Sequence, residues 1–257
     1  MAYHKKTKIF LLLLLTLLLL VVMILLPKMA QSPDYHLFAD HRTLAGIANF
    51  LNTISNLPFL VVGLAGILLM IKNGSQLQPA YLMLFIGILL TGLGSAYYHL
   101  NPSNNRLVYD RIPMTIVFMA LLSATLSELI DYKMGIRLLF ILLPAGIASV
   151  LYWKYTESIG NGDLRAYGFV QFYPILLIPI ITLLFPASHT KKTIPVFYSI
   201  ILWYILAKFL EYYDGAIQTF THFISGHTLK HLAAAMACYY ILRLYQVKYD
   251  KQASAQH

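Results

Sequence analysis

The stretch Ala80-Tyr-Leu-Met-Leu-Phe-Ile-Gly-Ile-Leu-Leu-Thr-Gly-Leu-Gly-Ser-Ala-Tyr-Tyr-His99 runs for twenty residues without an acidic or basic side chain until it ends on a histidine. At about 1.5 Å of rise per residue, a helix of that length reaches about 30 Å, the thickness of a bilayer's hydrocarbon core. Seven more runs of this kind flank it: Ile9–Leu26 and Ile47–Ile71 before it, and Leu107–Ile130, Leu138–Tyr155, Ala166–Phe185, Ile194–Tyr213 and Gly226–Gln246 after it. Turn-rich pieces separate them, among them Lys72-Asn-Gly-Ser75, Asn101-Pro-Ser-Asn-Asn105 and Gly160-Asn-Gly-Asp163. Pro58, Pro113, Pro144, Pro174 and Pro179 fall inside runs, where neighbouring helices can satisfy the carbonyls that proline frees.

Composition agrees with this reading. The 257 residues are 59% hydrophobic and 11% charged, with a mean hydropathy of +0.67. Soluble domains carry about a quarter charged residues, so this is the composition of an all-α integral membrane protein. Eight spans leave no room for a sizeable soluble domain. The formal charge of +9 is read as cytoplasmic loop charge, with no nucleic-acid partner, and no obligate protein partner is evident. Cys238 is the single cysteine, so an intrachain disulfide is excluded.

The first run follows Lys5, Lys6 and Lys8 and resembles a signal peptide, but it outruns the 7–15 apolar residues of a secretory core. Lys28-Met-Ala30 is also a poor cleavage site. It reads as a retained anchor helix within residues 1–30, followed by a membrane domain over 31–246 and a polar tail over 247–257. With the N-terminus cytoplasmic, the inner segments hold eleven basic residues: Lys5, Lys6, Lys8, Lys72, Lys133, Arg137, Lys191, Lys192, Arg243, Lys248 and Lys251. The outer segments hold five: Lys28, Arg42, Arg106, Lys154 and Arg165. This bias places both termini in the cytoplasm.

Polar residues then single out one end of the bundle. Ionisable groups near membrane spans are costly and mark function. Ser95 and His99 lie four residues apart, on one helix face, where the third run ends. Asp110 and Arg111 open the fourth run, and His227 and His231, again four apart, open the eighth. The charge-derived topology puts all of them at similar depth near the extracytoplasmic surface. Three neutral imidazoles with an open fourth position form a common catalytic zinc arrangement. An isolated His-x-x-x-His pair would more simply be interfacial; His99 and Asp110 at matching depth favour a metal. Lys208 and Glu211 read as an ion pair, Lys230 as snorkelling outward, and His36 and His41 as solvent-exposed loop residues. His222 reads as a surface residue or an outer neighbour of the metal ligands. The sequence contains no Gly-x-Ser-x-Gly, His-Glu-x-x-His or phosphate-loop motif.

Ser95-x3-His99, Asp110 and His227-x3-His231 together resemble the alkaline ceramidase family, part of a wider group of membrane hydrolases that includes adiponectin-receptor-like proteins. Asn49-Phe-Leu-Asn-Thr-Ile-Ser-Asn-Leu57 is similar to that family's first core helix and Gly226-His-Thr-Leu-Lys-His231 to its last. The similarity spans about Asp34 to Tyr245, which makes the fold a seven-transmembrane-helix hydrolase core plus one extra N-terminal helix. The resemblance implies Zn2+ on His99, His227 and His231, Asp110 as general base towards a water, and Ser95 as a donor to the oxyanion. The implied substrate is a membrane lipid, ceramide or another N-acyl lipid, cleaved within the bilayer to a fatty acid and an amine. It also implies Ca2+ near Asp34, Asp40 and Asn49. Position 49 is an amide where a carboxylate belongs, and calcium takes six to eight oxygens, so a weak site or none is expected. Ester cleavage by the same chemistry and a receptor with a structural zinc stand as alternatives. A transporter fits less well, because its ionisable groups would gather at the midplane.

Overall fold

In the computed structural model, which describes residues 2–72, 78–186 and 193–254, every run becomes helix. The long helices are α1 (Ala2–Leu25), α3 (Leu57–Lys72, preceded by the short α2, Phe50–Ile54), α4 (Pro79–Leu100), α5 (Asn104–Leu129), α6 (Tyr132–Ser158), α7 (Arg165–Leu184), α8 (Ile194–Tyr212) and α10 (Gly226–Ser254). A short α9 (Asp214–Thr221) joins the last two. The turn at 73–75, together with Lys191 and Lys192 of the charge count, lies outside the described residues. Among the described residues, seven helical segments, with Phe50–Lys72 counted as one, are long and apolar enough to cross a membrane, and the chain is an all-α, multi-pass membrane protein. α10 is the eighth of the long helices and the least apolar. It packs on α8 and α3, and its Ala233, Ala235, Ala237, Cys238, Ile241 and Leu244 are buried. A helix covered by protein need not be as apolar as one that faces lipid.

The boundaries follow from local chemistry. Ser103 caps α5 by accepting the Arg106 N–H at 3.3 Å, and Asp131 caps α6 through the Met134 N–H at 2.8 Å. The second run is not one helix. Residues 44–49 form a tight turn with a bridge between Leu44 and Ile47 and left-handed backbone at Ala45, Gly46 and Asn49. Helix then stops at Ile54, because Pro58 has no N–H to give that carbonyl. Ser55 and Asn56 fill the gap by donating to the Asn52 carbonyl at 3.1 and 2.8 Å.

α5 is the hub, packed against α4, α6 and α7. The core gathers Tyr81, Leu84, Phe85 and Ile88 of α4 with Ala120 and Leu121 of α5 and Ile241 and Tyr245 of α10. α1 does more than anchor the chain. Lys5 and Lys8 donate to the terminal carbonyls of Ile130 and Leu184 at 2.9 and 2.6 Å, and Thr16 pairs with Tyr173 at 2.8 Å. At its other end, Arg165 donates to the carbonyls of Ile24 and Leu26, each at 2.8 Å. The same guanidinium binds Asp163 and holds its carboxyl well below the usual range, at about 2. A depressed carboxyl stabilises above its unfolded value and loses that contribution only as pH falls through the folded one, so this clamp persists through any physiological acidity.

Candidate metal centre

Four segments converge where α4 ends and α5 and α10 begin. On α10, Ser225 accepts the Thr228 N–H at 3.1 Å and Asp214 accepts the His227 N–H at 2.7 Å, so the first turn is fixed before any ligand arrives. His227 and His231 then project from one face, and His99 meets them from α4. The ring centroids of the three lie 4.8–5.0 Å apart, and all three histidines are buried. Among the described residues, these are the only three His, Cys, Asp or Glu side chains whose ligand atoms gather so closely, all within 4.8 Å of one another.

Two observations test whether the donors fit a metal. His99 Nε2 and His231 Nε2 stand 3.3 Å apart, and a tetrahedral zinc with bonds of about 2.05 Å has an edge of about 3.3 Å. His231 Nδ1 is engaged by the Ser55 hydroxyl at 2.8 Å; where that hydroxyl accepts, Nε2 is left with a free lone pair, the usual outer arrangement of a metal-binding histidine. The residues present fit a divalent metal with nitrogen ligands.

The surroundings are ordered. The Phe38 ring lies 4.6 Å from the His99 ring and 4.5 Å from that of His227. Asn52 is fully buried; it donates to the Asp40 carbonyl at 2.9 Å and accepts from Thr228 at 2.7 Å. Asn49, in its left-handed turn, donates to the His99 carbonyl at 2.8 Å. Asp110 and Ser95 face one another across α4 and α5, both buried. These two helices touch at Gly94, where an added Cβ would collide with the Tyr109 carbonyl oxygen. Alanine is the better helix former by about 1 kcal/mol, but a clash with backbone forces the helices apart at a cost of about 1–3 kcal/mol. Gly94→Ala is therefore expected to lower the thermal midpoint and to reduce bound metal, measured on the same detergent-purified sample.

Several residues differ from expectation. Lys230 does not snorkel. Its ammonium donates to Glu211 at 2.7 Å and approaches His227 Nε2 at 3.4 Å, because it sits three residues from His227 on the inner side of α10. The expected Lys208–Glu211 ion pair forms, so Glu211 lies between two lysines. His36 is not a free loop residue; it bridges Tyr98 and Asn104 at 2.9 and 3.0 Å. His41 and His222 are exposed. Of the residues named for calcium, Asp40 and Asn49 have partners within the protein. Arg42 occupies both Asp40 oxygens, at 2.8 and 2.6 Å, and holds that carboxyl below its usual range. Asn49 faces His99, and Asp34 lies exposed in the turn of Pro33–His36. Ser55, Asn52, Asp214 and Phe38 were not legible as site residues; the one sequence signal was Pro58, which marks the break that turns Ser55 towards His231.

A cavity of about 360 Å³ extends from this centre into the bundle. Ser95, Asp110, His231 and Lys230 line its polar end, and Phe118, Leu121, Ile175 and Ile200 its apolar reach. A multi-pass helical bundle with a buried three-histidine centre opening on an apolar cavity defines a membrane enzyme suited to a lipid. The family model for ceramidases matches residues 39–257, and the chain belongs to the ceramidase family. Membership implies a hydrolase acting on amide bonds. A search of curated proteins returns no match.

Proposed function

We propose that the protein is a zinc-dependent amidase that hydrolyses the N-acyl bond of ceramide or a related N-acyl lipid, releasing a fatty acid and an amine. The observation that carries this reading is the cluster of His99, His227 and His231, one of which, His231, lines the polar end of a lipid-sized cavity together with Asp110 and Ser95. His99, His227 and His231 would hold the metal. When bound, zinc supplies a Lewis acid that lowers the pKa of a coordinated water to about 7 and stabilises charge on a carbonyl oxygen.

The chain's own groups do the rest. Asp110 is placed to accept the proton of the attacking water at a carboxylate oxygen and to return a proton to the departing amine nitrogen. The Ser95 hydroxyl beside it can donate to the carbonyl oxygen as that atom gains negative charge. The apolar walls bind the acyl chain, align its carbonyl with the polar end and keep bulk water out. The basic-residue bias supports cytoplasmic termini and a centre near the extracytoplasmic face. Residues 31–246 form the catalytic unit, with 1–30 as an added helix.

Incubation with ceramides, phytoceramides, other N-acyl lipids and phospholipids, with and without a chelator, tests the proposal. Fatty acid release from an amide-linked lipid that stops with chelator and returns with zinc is expected. Release from esters alone would move the reading to ester hydrolysis, and release from no lipid at all would end it.

A further inference from the structure

Outside the metal centre, the most exactingly held polar group is Arg111. It is 4% exposed, and its guanidinium is stacked on aromatic rings, 4.2 Å from the centroid of Trp153, 4.6 Å from Tyr167 and 5.5 Å from Tyr35. One arm, Nη2, donates to Gln31 Oε1 at 2.5 Å. The other, Nη1, is buried with no acceptor among the described residues. A buried cationic N–H without a partner carries its full desolvation penalty, so the native state either tolerates that loss or has an acceptor supplied from elsewhere.

The surroundings favour the second. Arg111 lines the same cavity as Asp110 and His231, and so do Met29, Gln31 and Tyr35. Gln31 is itself fixed: its N–H donates to Glu157 at 2.5 Å, and the Leu164 N–H holds the Met29 carbonyl at 2.8 Å. The cavity is lined by Arg111, Lys208 and Lys230 against Asp110 and Glu211. Both lysines pair with Glu211, which leaves one cation in formal excess and Arg111 as the cation with a donor still open. In a cavity with mainly apolar walls, such a site favours an anion over a neutral hydroxyl.

We propose that Arg111 and Gln31 form a headgroup subsite, and that its ligand is an N-acyl lipid whose amine portion carries an acceptor-only anion: a carboxylate, a sulfonate or a phosphate. The proposal deepens the amidase reading and rests on it for the orientation of the lipid, though not for binding. Met29, Gln31 and Tyr35 all precede residue 39, where the family match begins. Headgroup choice thus falls to the segment that follows the added helix α1, which explains why that helix is clamped at both ends.

Binding is measured on the full-length protein in lipid nanodiscs with N-hexadecanoylglycine, N-hexadecanoyltaurine, N-hexadecanoylphosphoethanolamine and the neutral N-hexadecanoylethanolamine. The native protein is expected to prefer at least one anionic conjugate over the neutral one by about tenfold to hundredfold, the range for a hydrogen bond to a charged group; the three anionic arms show which anion fits. In Arg111→Met that ratio collapses to about one. Gln31→Glu, nearly isosteric, puts a carboxylate on the guanidinium and is expected to abolish the preference without disturbing the packing. Equal affinity for all four lipids, or a ratio that survives both variants, overturns the proposal. The same lipids are scored for hydrolysis: a preference that depends on Arg111 without any turnover leaves the subsite standing and ends the amidase reading, whereas turnover without preference does the reverse.

Discussion

His99→Ala is expected to strip the metal from the purified protein and to lower lipid hydrolysis by at least about 10³-fold. The geometry explains the size of the effect. The three imidazoles come from two distant parts of the chain, and His99 is the one contributed by α4, with its Nε2 3.3 Å from that of His231. Catalytic zinc is held by three protein ligands with a fourth position open, so two remaining histidines do not rebuild the site. A Lewis acid's contribution of several kcal/mol converts, at about 1.4 kcal/mol per tenfold, to three or more orders of magnitude in rate. The fold should survive, because the His99 backbone carbonyl still receives the Asn49 amide and α4 remains packed on α5 and α3. Elemental analysis of wild type and variant, beside circular dichroism, separates loss of metal from loss of structure. Full retention of zinc in a folded variant would remove His99 from the ligand set.

The parts of this molecule that the sequence reveals are those on which the bilayer imposes a rule. Apolar length is compulsory for a spanning helix, so each of the eight runs became helix, and deviations are local: helix stops at Ile54 because of Pro58, and α10 continues to Ser254, eight residues past its apolar run. The three histidines were legible because side chains four apart share a helix face, and because α4, α5 and α10 carry their polar groups at matching ends. Lys230 turns inward, against the general preference of lysine to reach outward. Its spacing of three from His227 already placed it near the same face, and Glu211 on α8 supplies the half-buried partner that makes an inward lysine tolerable. The residues 29–42 were opaque for a different reason. Phe38 over the imidazoles, Gln31 on Arg111 and Asp40 on Arg42 are contacts made by irregular backbone, which has no periodicity to read. In the same strap, Arg42 takes both carboxylate oxygens of Asp40.

Asp110→Asn should have the opposite signature to His99→Ala: metal retained, turnover lost. Asn has the size of Asp and can still accept a hydrogen bond from Ser95, so the contact between α4 and α5 at Gly94 need not change. What it lacks is a site that accepts a proton from water and passes one to the amine, a function that contributes about 10²–10⁴-fold. kcat and kcat/KM should fall together by that factor, because the lost interaction belongs to the transition state and not to substrate binding. A residue that merely orients the ligands behaves otherwise, since its replacement lowers metal affinity by about 10–100-fold and added zinc restores the rate. The two roles therefore part on one titration: if excess zinc rescues Asp110→Asn, Asp110 supports the metal, and if saturating zinc leaves the variant slow, it handles the proton. Turnover within tenfold of wild type would remove Asp110 from the reaction and leave Glu211 as the other carboxylate in the cavity that His231 lines.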